Sequence, residues 1–355
     1  MTVSTTSNQH GTAAIPEQDT AIVVEGLVKR YPKSEVNAVD NISFSVGRGE
    51  IFGLLGPNGA GKTTTIGILT TNVRPTSGIA HIMGINVATD PMSVKQRIAV
   101  VPQQSNLDRS LRAREILTFH ASYHGVSRKE REARADTLLN ELGLGDRGKE
   151  MVRRYSGGMA QRLMLARAQM HSPDVLFLDE PTNSLDPQSR LFLWDRIRSL
   201  KEQGTTILLT THDMEEADQL CERIAIMDKG HILVLDTATE LKKLVPGGNM
   251  LELRVQVPQR ITTGNLKHEA QSPSPVLTAL RAIPGATKVD EVPAPEGEER
   301  PHNIQVFRLY AEDAGGLVVG ATQAILETGA ELRDMHIARP SLEDVFIHLT
   351  GRNLR

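Results

Sequence analysis

Cysteine is almost missing from this chain. Cys221 stands alone in 355 residues, so no disulfide can form within one chain, and the composition suits a reducing compartment. Histidines and cysteines do not recur at metal-ligand spacing, so no structural zinc is expected. Aromatic residues make up only 3%, yet apolar residues reach 39%, ample for a globular core. Charge of one sign is not in excess. The net charge of -3 gives no sign of the strongly basic face of a nucleic-acid binder, although a local basic patch stays open. No run approaches the roughly 18 apolar residues that span a bilayer. The opening stretch MTVSTTSNQHGTAAIPEQDT has no apolar core, so it is not a secretory signal. Residues 1–20 read as a disordered tail. Work on a membrane would need another chain to supply the span, and the expected location is cytoplasmic. No internal repeat is visible, and the length suggests two domains or three.

What is present begins at Ala21. AIVVEGLVKRY and NISFSVGRGEIFGLL read as strands, rich in Val, Ile and Phe. Further along, DVLFLDEP and TTILLTTH are buried strands, and helical patterns lie between and after them. Apolar strands alternating with helices imply a parallel sheet covered on both faces. The charged stretch SRKEREARADTLLNELG reads as a helix with a solvated face. Composition shifts at Pro246-Gly247-Gly248. Beyond it the strand and helix patterns follow the order βαββαβ, which suggests a ferredoxin-like α+β module over 246–355. Leu342, Val345, Phe346 and Leu349 share one helix face by spacing.

The strongest single motif is GPNGAGKTTT, from Gly56 to Thr65. Gly56, Gly61, Lys62 and Thr63 fit G-x-x-x-x-G-K-[ST]. Glycines let the backbone of Gly56, Pro57, Asn58, Gly59, Ala60 and Gly61 wrap an anion with its N–H groups turned inward. A helix starting near Lys62 adds its positive end. Lys62 can reach β and γ phosphates, Thr63 can ligate Mg²⁺, and Thr64 adds a further donor. In VLFLDEP an apolar strand delivers Asp179 and Glu180 to the edge of the sheet where ligands bind in open α/β folds. Asp179 is placed to hold the Mg²⁺ shell, and Glu180 to polarise an attacking water.

Around these two motifs the chain resembles the ABC ATPases. YSGGMAQR (Tyr155 to Arg162) is similar to their signature, and Gln103 in VVPQQ to their Q-loop glutamine. Ser184-Leu185-Asp186 resembles their D-loop, His212 their switch histidine, and Tyr31 the aromatic that stacks on adenine. The likeness runs from about Ile22 to Leu235. It implies a P-loop α/β ATPase domain over 21–245, with an antiparallel β subdomain and a helical subdomain. It implies ATP and Mg²⁺ as cofactors, Gln103 as a further metal ligand, and catalysis by Glu180, His212, Lys62 and Gln103. It also implies that Ser156, Gly157, Gly158 and Asp186 act across a head-to-tail homodimer, capping nucleotide held by the second copy. Each residue also has a plainer reading: Ser156 as a helix cap, Tyr31 as a surface aromatic, His212 as a strand-end histidine. The chain departs from the common signature at Tyr155 and Met159.

RPSLEDVFIHLTG (Arg339 to Gly351) resembles the tail of the drug-exporter branch, the daunorubicin-resistance type. That resemblance implies a separate multi-pass permease as partner, a peripheral place on the inner face of the membrane, and no nucleic acid. The competing readings are a non-transport ABC ATPase acting on ribosomes or nucleic acid, and a binding module whose ATPase is vestigial.

Overall fold

The structure is a computed structural model that describes residues 19–245, 249–257, 274–292, 303–311, 314–338 and 340–351. The chain divides into two compact units between Ala238 and Thr239, ahead of the composition shift at Pro246. Residues 1–18 lie outside the described residues, and the first strand already starts at Thr20, inside the stretch assigned to the tail.

In the first unit the elements run β1 (Thr20–Lys29), β2 (Val39–Gly47), β3 (Ile51–Leu55), α1 (Lys62–Leu69), β4 (Ser77–Ile82), β5 (Ile85–Asn86), α2 (Pro91–Arg97) and β6 (Ile98–Val101). Then come α3 (Ala113–Tyr123), α4 (Arg128–Glu141), α5 (Gly157–Gln169), β7 (Val175–Asp179), α6 (Pro187–Glu202), β8 (Thr206–Thr211), α7 (Met214–Leu220), β9 (Arg223–Asp228) and β10 (His231–Asp236). α8 (Ala238–Lys242) follows at the division. A six-stranded sheet has the order β10-β9-β3-β8-β7-β6. Its strands pair in parallel except β10, which runs antiparallel on β9 at the edge. All residues of β3, β7 and β8 are buried, as continuous apolar runs in a parallel sheet should be. A second, antiparallel sheet has the order β2-β1-β4-β5. The two sheets share a core in which Phe44 stacks on Phe52 with ring centroids 5.3 Å apart. α3 and α4 form the expected helical region. On α4 only Ala135, Leu138 and Leu139 turn inward, and the charged residues are left to water.

The second unit runs β11 (Asn249–Gln256), α9 (Pro275–Arg281), β12 (Lys288–Val292), β13 (Ile304–Ala311), α10 (Ala314–Glu327), β14 (Glu331–Ala338) and α11 (Leu342–Thr350). Its sheet is antiparallel throughout with the order β12-β13-β11-β14. Numbered within the unit, that is 2-3-1-4, the βαββαβ arrangement suggested by the pattern. The acidic turn PAPEGEERPH lies outside the described residues. On α11, Leu342, Val345 and Phe346 are buried, but Leu349 is 37% exposed. Spacing alone put Leu349 on the buried face. The helix ends at Gly351 with φ 71°, two residues past Leu349. Asp344 takes Arg308 of β13 at 3.4 Å, tying α11 to the sheet.

The sequence showed no histidine cluster, and here the fold corrects it. His120 and His124, four residues apart, are joined by the distant His171 between α3 and the end of α5.

Candidate nucleotide site

β3 ends at Leu55 and the chain turns through Gly56 to Gly61 into α1. Two glycines are demanded by space. A Cβ on Gly56 would lie 2.2 Å from the Met227 carbonyl oxygen, and one on Gly61 would lie 2.5 Å from that of Ala38. Gly61 also has φ 104°, which L side chains rarely adopt. The first helical bond runs from Thr65 N to the Gly61 carbonyl. The N–H groups of Lys62, Thr63 and Thr64 therefore have no partner within the helix, and they face the side of the loop where an anion gains most.

Lys62 is buried, and its ammonium donates to the Gly56 carbonyl at 2.7 Å and the Pro57 carbonyl at 3.2 Å. It lies 3.6 Å from Glu180 Oε1. Burial pushes this ammonium below the usual lysine range, and the Glu180 carboxylate offsets only part of the shift. Thr63 Oγ1 is 3.5 Å from Asp179 Oδ1. Burial raises the Asp179 carboxyl, partly offset by the Thr210 hydroxyl, which donates to it at 2.5 Å. Tyr31 is 42% exposed. Its hydroxyl is 3.5 Å from Thr64 Oγ1, and the Lys29 ammonium sits 5.0 Å from its ring centre. That leaves an open aromatic face at the mouth of the loop.

Glu180 is the hub. Its Oε2 accepts from Gln103 Nε2 at 2.8 Å and from Asn183 Nδ2 at 3.3 Å, and it lies 3.3 Å from His212 Nδ1. Its backbone has φ 47°, held there by an N–H that donates to both the carbonyl (3.0 Å) and the hydroxyl (3.1 Å) of Thr210. Such a conformation costs about 1–3 kcal/mol for a non-glycine residue and gathers at functional sites. Behind this hub, Glu216 of α7 is buried and accepts from Thr182 Oγ1 at 2.7 Å and Trp194 Nε1 at 3.2 Å. Burial raises its carboxyl above the ordinary glutamate range.

The structure thus joins Tyr31, the loop from Gly56 to Thr64, Gln103, Asp179, Glu180 and His212. It does not bring Ser156, Gly157, Gly158 or Asp186 into that set. Among the described residues, no hydrogen bond or ion pair links them to it. Ser156 caps α5, accepting from Met159 N at 3.3 Å, and Asp186 caps α6, accepting from Ser189 N at 2.9 Å. The two caps are neighbours, since a Cβ on Gly158 would meet Ser189 Oγ at 2.8 Å. Ser156 and Gly157 are exposed, free to face a second molecule. Thr210, Asn183, Thr182 and Glu216 were missed by sequence reasoning. The TTH stretch marked His212 and also contains Thr210, but nothing in one sequence shows that a strand hydroxyl points sideways at Asp179.

A protein-family model described as ABC transporter matches residues 39–183. A daunorubicin resistance ATP-binding protein of Streptomyces coeruleorubidus is 39% identical over 337 residues, covering 95% of this chain and 98% of its own. The chain belongs to the ABC transporter ATP-binding proteins. It is an ATPase subunit that powers an exporter, and nucleotide binding follows from that membership. This ABC ATPase is also 38% identical to a Nod factor export ATP-binding protein of Ralstonia nicotianae, over 94% of each chain. Its nucleotide-binding fold matches the dimeric structure of a post-hydrolysis state of an ATP-binding cassette bound to ADP and Pi. That match has a TM-score of 0.57 and 26% identity, over 61% of this chain and 98% of the other. The comparisons give the ribosomal or nucleic-acid reading no support. Among the described residues no helix is long and apolar enough to cross a membrane.

Proposed function

We propose that this ABC ATPase hydrolyses MgATP in two composite sites of a head-to-tail homodimer, on the inner face of a membrane, to drive a separate permease that exports a drug-like or glycan-like molecule. The observation that carries the reading is Glu180, held at the end of β7 between Lys62, Gln103 and His212 beside the phosphate loop.

The loop from Gly56 to Gly61 and the amides of Lys62, Thr63 and Thr64 grip the β and γ phosphates, while Tyr31 stacks on the base. Lys62 exchanges its carbonyl partners and Glu180 for phosphate oxygens. Thr63 and Asp179 suit Mg²⁺: their oxygens are hard donors 3.5 Å apart, close to the roughly 3 Å between adjacent ligands of an octahedral ion at about 2.1 Å. Gln103 has its amide oxygen left for the same ion. The ion would neutralise charge on the β and γ phosphates. Glu180, released from Lys62, orients a water in line with the γ-phosphorus and takes its proton as the bond to the bridging oxygen breaks. His212 holds Glu180 and the γ-phosphate in register. Ser156 and the N–H groups of Gly157 and Gly158 cap the γ-phosphate bound by the other copy, and Asp186 stands at the same interface. ATP then binds the dimer more tightly than the monomer, and hydrolysis loosens it.

In this reading the first unit, which ends at Ala238, carries every proposed contact with ATP, and the unit from Thr239 is an accessory module. The reading is tested by phosphate release from the full chain with and without its co-purifying membrane partner. Activity that changes when the permease is present supports it. A chain that binds ATP without turnover, alone and with the permease, overturns it.

A further inference from the structure

Away from the nucleotide loop, three histidines converge on one cleft. His120 on α3 and His124 at its C-cap stand one turn apart, and His171 follows α5. One ring nitrogen from each lies within 4.8 Å of the others. The His124 and His171 rings stack with centroids 3.7 Å apart and planes 9° apart. The ring of His120 stands 4.9 Å from the first and 5.7 Å from the second. The cleft measures about 280 Å³ and is walled by β6 residues Ile98, Ala99 and Val100.

The hydrogen bonding leaves a lone pair to spare. His171 Nε2 lies 3.0 Å from the Ile98 carbonyl oxygen. A carbonyl only accepts, so Nε2 carries the proton and Nδ1 the lone pair. Nδ1 is buried and has no hydrogen-bond partner. An orphaned buried acceptor is costly, whereas a backbone carbonyl on the opposite nitrogen is the usual support of a metal-bound imidazole.

We propose that His120, His124 and His171 form a binding site for a first-row divalent transition-metal ion of the zinc, nickel and copper group. Imidazole favours these ions, and the set contains no carboxylate to suit magnesium or calcium. Nitrogens that share an ion at about 2.0–2.1 Å lie roughly 3–3.5 Å apart, so the widest separation, within 4.8 Å, must close by up to about 1.3–1.8 Å. His124 is exposed and can turn off the stack to do so, and water completes the coordination. Arg167 lies beside His120 and opposes a cation, but its guanidinium donates to Asn106 Oδ1 at 2.6 Å, which anchors it. A bound ion would tie α3 to the end of α5 against β6, the strand that leads to Gln103.

The test is titration of the tag-free full chain, without nucleotide, with Co²⁺ followed by its visible d–d absorption and with Zn²⁺ followed by calorimetry. A single tight site is expected, weakened at least about 100-fold in His124→Ala. That variant changes an exposed side chain, and circular dichroism confirms its fold. His120→Gln is expected to weaken the same site and gives a second, independent reading. Identical Co²⁺ and Zn²⁺ binding by the parent chain and both variants would overturn the proposal.

Discussion

Glu180 is the residue on which the proposed chemistry turns. Its carboxylate gathers Lys62, Gln103, Asn183 and His212, and its backbone sits at φ 47°. Glu180→Gln keeps shape and hydrogen-bonding reach but cannot accept a proton. It is expected to bind ATP as the parent does and to lose turnover by at least about 100-fold, the scale of general-base catalysis. Equilibrium nucleotide binding and phosphate release, measured on the same preparation, check both halves. Glu216 makes a different kind of prediction. Burial raises its carboxyl above the ordinary value of 4.5, so the folded chain holds this proton more tightly than the unfolded chain does. The stability it contributes is present below the unfolded value and is lost as pH rises through the folded one. An amide in its place has no proton to lose, and its oxygen could still accept from Thr182 and Trp194. The stability of Glu216→Gln relative to the parent is therefore expected to grow between about pH 5 and about pH 8. Denaturant unfolding at both values measures it, and a flat or shrinking difference would refute the assignment. Lys62, Asp179 and Glu180 stand out in the sequence because strand-loop-helix and strand-acid patterns are local, whereas Gln103 is singled out only by resemblance to the ABC ATPases. Thr210 and Glu216 were not, since their roles arise from β8 and α7 packing beside β7.

Among the elements, α5 carries the ambiguity that matters most. Ser156 caps it, a sufficient reason for a serine, and the proposed contact with a second copy's γ-phosphate is another. The substitutions separate them. Ser156→Ala loses the cap and is expected to cost about 1 kcal/mol of stability. Ser156→Asp keeps a good cap, so thermal stability should hold, while its carboxylate repels phosphate and ATPase activity should collapse. Full activity in Ser156→Asp would leave the serine as a cap only. The phosphate loop is less forgiving: Gly56→Ala drives a Cβ into the Met227 carbonyl of β9. A loss of about 1–3 kcal/mol is expected from such overpacking, measurable by chemical unfolding. The parallel strands and the βαββαβ order were readable, since burial on both faces and alternating elements leave plain patterns. The histidine cluster was half readable. His120 and His124 are spaced for one helix face, but His171 joins them only through the packing of α3 on α5. Leu349 shows the opposite failure, where periodicity continued past the point at which the helix still had a surface to cover.

For the molecule as a whole, one chain holds two halves that do not meet. The phosphate loop and its acids form one connected set, while Ser156 to Gly158 and Asp186 form another at the heads of α5 and α6. In the proposed head-to-tail pairing, each half would meet its complement on a second copy, and the grip on ATP would be conditional on that copy. Resemblance in the sequence suggested this, and the separation of the two sets within one chain supports it. The most direct measurement is sedimentation velocity of the Glu180→Gln chain with and without MgATP, alongside the Glu180→Gln, Ser156→Asp double variant. A monomer is expected without nucleotide, a dimer with it, and a monomer throughout for the double variant. A Glu180→Gln chain that binds ATP yet stays monomeric, or a dimer indifferent to both ATP and Ser156, would contradict the proposed pairing.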